Sequence, residues 1–223
     1  METIIDKCKR GPGRPPDQAL QERRKEEILH RAEAIFAKHG YPNTDLQWVA
    51  DALGLSKGTI YRYFPTKEEL FLETVRRGVR RMREHIDHAA ARAADPVDRI
   101  VEAVRAYLEF FKTSPELVEL FIQERAEFKE HRKPIYFEHR DAARGPWREM
   151  IAGLIAAGRI RQVPVERVID VLGDVLYGTM FTNHFAGRDK GYQAQAEDVL
   201  DVVLNGILSE GERKTRAAGG PAK

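Results

Sequence analysis

Residues 44–67 read TDLQWVADALGLSKGTIYRYFPTK. Leu46, Val49, Ala50 and Leu53 recur at the three- and four-residue spacing that lines up side chains on one face of a short helix. Thr44 and Gln47 stand three apart, the spacing of a capping box, in which each side chain satisfies a backbone N–H at a helix start. Gly54 permits a tight turn, and Ser56 is a natural N-cap for a second helix from Lys57 to about Tyr63. Phe64-Pro65 stops it, because proline disfavours helical backbone in the residue before it. Two short helices at a glycine turn, the second basic, amphipathic and rich in hydroxyls, have the geometry of a helix-turn-helix, whose second helix enters the DNA major groove.

The residue types suit that task. The Thr44 and Ser56 hydroxyls, with the backbone N–H groups at their helix starts, can bond phosphate oxygens. Gly58 lets the backbone approach the groove edge, and Lys57 and Thr59 leave the first turn of the reading helix, where base edges are reachable. Tyr61 and Tyr63 offer hydroxyls to phosphates and rings to sugars or thymine methyls; Arg62 serves either groove or phosphate; Lys67 is a point charge for the backbone. A helix–glycine–helix turn also occurs in proteins that never touch DNA. What favours DNA is that residues 56–67, SKGTIYRYFPTK, carry no acid.

Working outward, the first helix runs from about Glu22 to His39, with Ile28, Ala32, Ile35 and Phe36 as its apolar stripe and Gly40 as its stop. Thr66 and Glu69 form a second capping box, opening a long helix on which Phe71, Val75, Val79, Met82, Ile86 and Ala89 share a face. Asp95-Pro96 and Ser114-Pro115 announce helices of about 96–112 and 115–129. Residues 133–158 read as one helix, with Gly145-Pro146 as its weak point, and further helices follow from Pro164 to about Phe185 and from about 192 to 209. No stretch alternates as a strand does, and no repeat is present. The chain reads as all-α, with about nine helices: a small N-terminal three-helix unit and a larger helical bundle.

The 223 residues are 42% apolar and 32% charged, ordinary for a globular protein. Cys8 is the single cysteine, so no intramolecular disulfide can form. No run approaches the roughly 18 apolar residues of a membrane span, and METIIDKCKRGPGRPP at the N-terminus lacks the features of a secretion signal. No membrane partner is expected, and the cytoplasm is the expected location. A net charge of +2 does not argue for nucleic acid. Local runs say more: Lys7, Lys9, Arg10 and Arg14, then Arg76, Arg77, Arg80, Arg81 and Arg83, each without an intervening acid, could make a footprint on a polyanion, although any one of them alone reads as a solvated helix face.

From Ala34 to Leu70 the chain resembles the TetR family of transcription regulators, through Ala34-Ile35-Phe36, Gly40-Tyr41, Thr44, Val49-Ala50, Gly54-Leu55-Ser56-Lys57-Gly58-Thr59-Ile60-Tyr61, Tyr63-Phe64 and Lys67-Glu68-Glu69-Leu70. Trp48 is unusual at its place and is expected to help fill the small core. The resemblance implies a homodimer on a palindromic double-stranded operator, and repression relieved by a small molecule. By the same resemblance Thr44, Ser56, Lys57, Gly58, Thr59, Tyr61, Tyr63 and Lys67 are the DNA-contacting positions. The expected organisation is then a disordered basic arm (1–20), a helix-turn-helix domain (21–66), an effector-binding and dimerisation domain (67–210) and a disordered tail (211–223). On the arm, Gly13-Arg14-Pro15 matches part of the core of AT-hook peptides, and Arg14 can enter a narrow minor groove; the alternative is a solubilising tail.

Within 67–210, Tyr107, Phe111, Phe121, Phe128, Trp147, Tyr177, Met180, Phe181 and His184 are the expected lining of a pocket for a hydrophobic or amphipathic effector. The last two long helices carry stripes (Val168, Leu172, Val175, Leu176 and Thr179; Val199, Val202, Val203 and Ile207) for pairing with a second copy, with Gly173 and Gly178 allowing close approach. His85 with His88, and His131 with His139, lack the further ligands a metal site needs, so no metal is expected. No P-loop, dinucleotide-binding turn, HExxH or catalytic triad motif is present, so neither enzyme activity nor a cofactor is expected. The competing reading is a DNA-binding adaptor whose second domain binds a protein; a filled core there would favour it, an apolar cavity the effector.

Overall fold

The computed structural model describes residues 18–129, 133–188 and 190–205. Among these it contains ten α-helices and no strand: α1 (Gln18–His39), α2 (Leu46–Asp51), α3 (Lys57–Tyr63), α4 (Lys67–Ala91), α5 (Pro96–Thr113), α6 (Glu116–Glu127), α7 (Ile135–Ala142), α8 (Arg144–Ala156), α9 (Val165–Ala186) and α10 (Tyr192–Asn205). The all-α class is as expected. Arg14 and the rest of the arm to residue 17, and the expected tail, lie outside the described residues. Residues 18–20, placed with the arm on sequence, are the first of α1.

α1, α2 and α3 enclose a small core of Ile28, Ala32, Phe36, Leu46, Val49, Ala50 and Ile60, all buried. Gly54 sits at φ +63°, left-handed backbone that only glycine adopts at low cost, and Leu55 N–H returns to the Ala50 carbonyl at 2.9 Å to close the turn. The capping of α2 differs from expectation. Its N-cap is Asp45, whose carboxylate accepts from Gln47 N–H at 2.8 Å. Thr44 is buried and donates its hydroxyl to the Gly40 carbonyl at 2.7 Å, finishing α1 rather than starting α2. Trp48 does not fill the core: it is 42% exposed and lies against the His39 ring at 4.8 Å.

α4 joins this unit to the rest. Phe71, near its start, meets Phe36 edge-on at 5.1 Å and stacks near Phe128 at 5.8 Å, while Tyr41 meets Phe128 at 5.1 Å. Such ring pairs add to the gain from burial itself. At Gly78 a Cβ would lie 2.4 Å from Leu117 Cδ1, so α4 and α6 touch at a separation only glycine allows. Gln123 Nε2 donates to the Phe36 carbonyl at 2.9 Å, tying α6 to α1.

Residues 133–158 form two helices, not one. Pro146 lacks an N–H, and inside an unbroken helix its ring would strike the carbonyl one turn back. The chain breaks at Ala143 and restarts at Arg144, which puts Pro146 in the first turn of α8, where no N–H is needed. Pro134 gives α7 no side-chain cap; Glu124 of α6 supplies one, accepting from Ile135 N–H at 2.9 Å. Ser114 likewise does not cap α6, whose first residue follows Pro115.

The stripes on α9 and α10 need correction. Val168, Leu172 and Leu176 face the chain's own interior, and Gly173 faces Arg140 of the same chain. The apolar side chains left in solvent on α9 are Val171, Val175 and Phe185, and on α10 Val202 and Leu204. Ile207 lies outside the described residues.

Candidate nucleic-acid interface and ligand cavity

The outer face of α3 presents Lys57, Gly58, Thr59, Tyr61 and Arg62 at or near the surface. Ser56 Oγ accepts from Thr59 N–H at 3.1 Å and lies 2.9 Å from Thr59 Oγ1, so the two hydroxyls mark the helix start as one polar unit. A Cβ on Gly58 would meet only Ser56 Oγ, at 3.8 Å; the fold itself does not demand a glycine there. Arg62 lies over the Tyr63 ring at 5.3 Å, which keeps the guanidinium beside the ring at the end of α3.

Two cations are less free than expected. Lys57 Nζ donates to Asp45 Oδ1 at 2.6 Å. The Asp45 carboxyl is held below the usual range by the Gln47 N–H and then by Lys57, while Lys57 is pushed up by Asp45. Lys67 Nζ donates to the Pro42 carbonyl at 3.0 Å and sits 4.8 Å from the centre of the Tyr41 ring; partial burial pulls it down. Lys67 thus latches the loop before α2 to the start of α4 instead of standing as an open point charge. Thr44, turned inward, offers no free hydroxyl to a phosphate.

Asp45, which caps α2 and pairs with Lys57, is the charged residue of this face missed on sequence. Its signal was present: it is a capping residue directly before Leu46, the first apolar residue of α2. An acid beside Lys57 opposes a phosphate backbone. Asn caps as well as Asp, so Asp45→Asn is expected to leave the melting temperature unchanged and raise DNA affinity about five-fold at low salt, converging with wild type at high salt. Fluorescence polarisation of a labelled duplex reads this; unchanged affinity would place Asp45 away from DNA.

Behind this unit, α4, α5, α7, α8 and α9 surround a cavity of about 190 Å³. Its walls are mostly apolar, among them Met82, Ile86, Val104, Ile151 and Leu172, with polar groups from Tyr107, Tyr136, His139 and Arg140 and the paired charges Arg83–Asp87 and Arg144–Asp170. Burial, with Arg80 and Arg83 adding to it, pulls the His139 imidazole down, which favours its neutral form.

Of the residues expected in a pocket, Tyr107 and Trp147 line this cavity. The others do not. Phe111, Phe121 and Tyr177 join Tyr107 and Tyr136 in a run of ring contacts at 4.9–6.2 Å, and Phe181 continues it from Tyr177. Phe128 packs against Tyr41 and Phe71. Met180 is buried and accepts weakly from the Tyr107 hydroxyl, and His184 Nε2 lies 2.7 Å from Glu119 Oε1. Most of these rings pack against one another and fill space; the hollow that Tyr107 and Trp147 line lies where the chain breaks between α7 and α8. Among the described residues no group of three or more His, Cys, Asp or Glu could hold a metal ion, and no helix is long and apolar enough to cross a membrane.

A helix-turn-helix with a basic, open reading helix, backed by a hollow helical bundle, defines a DNA-binding transcription regulator. Residues 28–74 match the family described as bacterial regulatory proteins, tetR family, and residues 93–179 match the tetracyclin repressor-like C-terminal domain. The chain belongs to the TetR family. It is 36% identical over 104 residues to the uncharacterised HTH-type transcriptional regulator YhgD of Bacillus subtilis, covering 47% of this chain and 54% of that one. The chain therefore spans about half the length of that curated relative. A second relative, an uncharacterised HTH-type transcriptional regulator of Mycobacterium tuberculosis, is 29% identical over 203 residues, 87% of this chain and 90% of that one. Among solved structures, the transcriptional regulator FadR from Bacillus subtilis in complex with stearoyl-CoA superposes with a TM-score of 0.67 at 17% identity, over 82% of this chain and 99% of that one. At that identity the likeness is one of fold.

Proposed function

We propose that the protein is a cytoplasmic homodimeric repressor that leaves a palindromic operator when a small hydrophobic or amphipathic compound enters the cavity. In this reading residues 21–66 read DNA, residues 67–210 bind the effector and the second copy, and the chain is not an enzyme. The observation that carries it is the course of α4. Its first turns pack Leu70 and Phe71 into the helix-turn-helix core, and its later turns place Val79, Met82 and Ile86 in the cavity wall. A ligand that favours one position of α4 alters the spacing of two reading helices, which must reach successive major grooves about 34 Å apart. An apolar cavity in the bundle supports an effector over a protein-binding adaptor. The Bacillus subtilis protein of similar fold was solved with stearoyl-CoA, a ligand that joins an apolar chain to a polar head.

Lys57, Thr59, Tyr61 and Arg62 are the proposed groove and phosphate contacts, with Ser56 and Tyr63 at either end of α3 and Gly58 at the closest approach. Arg14 of the arm is the proposed minor-groove contact. The test is selection from random-site DNA, followed by affinity against salt. A palindromic site is expected, with binding that weakens steeply as salt rises. Gly58→Leu is expected to melt like wild type, having open space around it, and to lose the site by about a hundred-fold or more, since a side chain would hold the backbone off the groove. Unchanged binding by Gly58→Leu would remove α3 from the interface.

A further inference from the structure

Arg140 is held in an unusual way at the cavity. Its guanidinium lies over the Phe137 ring at 4.7 Å, and Nη1 donates to Asp174 Oδ1 at 3.0 Å. Its Nε is buried and has no hydrogen-bond partner among the described residues. A buried donor left unpaired costs free energy and calls for a reason. The other cations in the cavity wall are engaged: Arg83 with Asp87, and Arg144 with Glu166 and Asp170.

Tyr107 and Tyr136 line the same cavity, are both buried, and hold their hydroxyl oxygens 3.1 Å apart. One hydroxyl hydrogen serves the pair. The Tyr107 hydroxyl otherwise reaches only the Met180 sulfur at 3.7 Å, a weak acceptor. Burial raises both phenols, and the Arg140 charge opposes that rise in each, which brings the guanidinium within electrostatic reach of both hydroxyls. The cavity wall thus combines two buried phenols and the partly exposed Arg140 cation, with underused donors, and apolar side chains.

The geometry points to a free carboxylic acid as the ligand, entering head first, with its carboxylate received by Arg140 Nε–H and the Tyr107–Tyr136 hydroxyls and its apolar body filling the rest of the cavity. This rests on the reading of the cavity as the effector site and names the chemical class. A cavity of about 150 Å³ takes a benzene ring, so about 190 Å³ takes a body of one substituted ring or a short alkyl chain. A thioester lacks the free carboxylate that these donors would receive.

The protein has two tryptophans, Trp48 on the surface of the N-terminal unit and Trp147 in the cavity wall, so Trp48→Phe leaves Trp147 fluorescence as the reporter. Octanoate, octan-1-ol and octanoyl coenzyme A are titrated in that background. Octanoate is expected to bind at least about ten-fold more tightly than either of the others, the worth of one charge-assisted hydrogen bond. Arg140→Lys, which keeps a charge but loses Nε–H, and Tyr136→Phe are each expected to abolish the preference for acid over alcohol while octanol affinity stays the same. Equal binding of acid and alcohol, tighter binding of the thioester, or an acid preference that survives Arg140→Lys would overturn the assignment and leave the effector reading standing. If none of the three binds, the effector reading of this cavity falls as well.

Discussion

Val175→Arg is expected to convert the proposed homodimer to monomers and weaken operator binding by about a hundred-fold or more. Val175 is 37% exposed on α9, with Val171 at 51% and Phe185 at 69%. Positions 171, 175, 178, 182 and 185 follow at intervals of four and three, the spacing of one helix face. Gly178 and Thr182 complete that face, and no side chain lies within 4 Å of where a Gly178 Cβ would be. Val202 and Leu204 leave α10 apolar and exposed as well. A run of large apolar side chains in solvent marks an interaction surface, and a two-fold axis would lay this face against its own copy. Arginine there would bury a charge with no partner in the dimer, yet disturb nothing in the single chain. Because a second half-site bound from the same dimer raises affinity by about 10²–10⁴ without new contacts, losing it shows mainly in DNA binding. Sedimentation velocity and polarisation on the selected operator measure the two effects. A variant that stays dimeric and binds normally would place the interface elsewhere.

Glu33→Ala is expected to lower stability by about 3 kcal/mol, since removing one member of a buried ion cluster strands the others. Glu33 is 7% exposed on α1. Its carboxylate accepts from Arg77 Nη1 at 2.9 Å and from Arg81 Nη1 at 3.1 Å, both on α4. Arg77 Nε also donates to Glu26 at 2.7 Å, and Arg81 reaches over the Phe110 ring of α5 at 5.9 Å. Glu26 still pairs Arg77 in the variant, which keeps the loss toward the lower end for such a cluster. For a chain of this size the melting temperature is expected to fall by about 6–12 °C, read by thermal unfolding of the dimer at fixed concentration. The same carboxylate clamps α1 to α4, so ligand-induced release from DNA is expected to weaken in this variant more than DNA binding itself. Melting unchanged from wild type would show that the apolar core alone joins the two helices.

Much of this was legible from local sequence. Gly54, Ser56 and Phe64-Pro65 bound α3 to within a residue, because a turn, a cap and a stop are decided by neighbours a few positions away. The Thr66 cap of α4 was legible for the same reason: its hydroxyl accepts Glu69 N–H at 3.0 Å. Local reasoning slipped where two residue types competed for one role. Thr44 and Asp45 can both cap; the turn after α1 puts the Gly40 carbonyl, four residues back, within reach of the threonine hydroxyl and leaves the cap to Asp45.

Across the bundle, spacing told less. The aromatic side chains expected to line a pocket were recognisable as interior, but not as filler or wall; the break at Ala143 and the packing of Tyr177 and Phe181 decided which. Trp48 has the composition of a core residue and the position of a surface one. The apolar positions of α9 were all visible, yet their division into an inner set at Val168, Leu172 and Leu176 and an outer set at Val171, Val175 and Phe185 was not. By itself the sequence determined most of the helices, the Ser56, Thr66 and Asp95 caps and the helix-turn-helix, because these depend on hydrogen bonds and side-chain spacing within a turn or two of the chain. Only the tertiary structure decided where the cavity lies, that Lys57 meets Asp45, that Glu33 clamps α4, and which face of α9 is left in solvent. Those contacts join residues far apart in sequence, and they form only where close packing brings whole helices together.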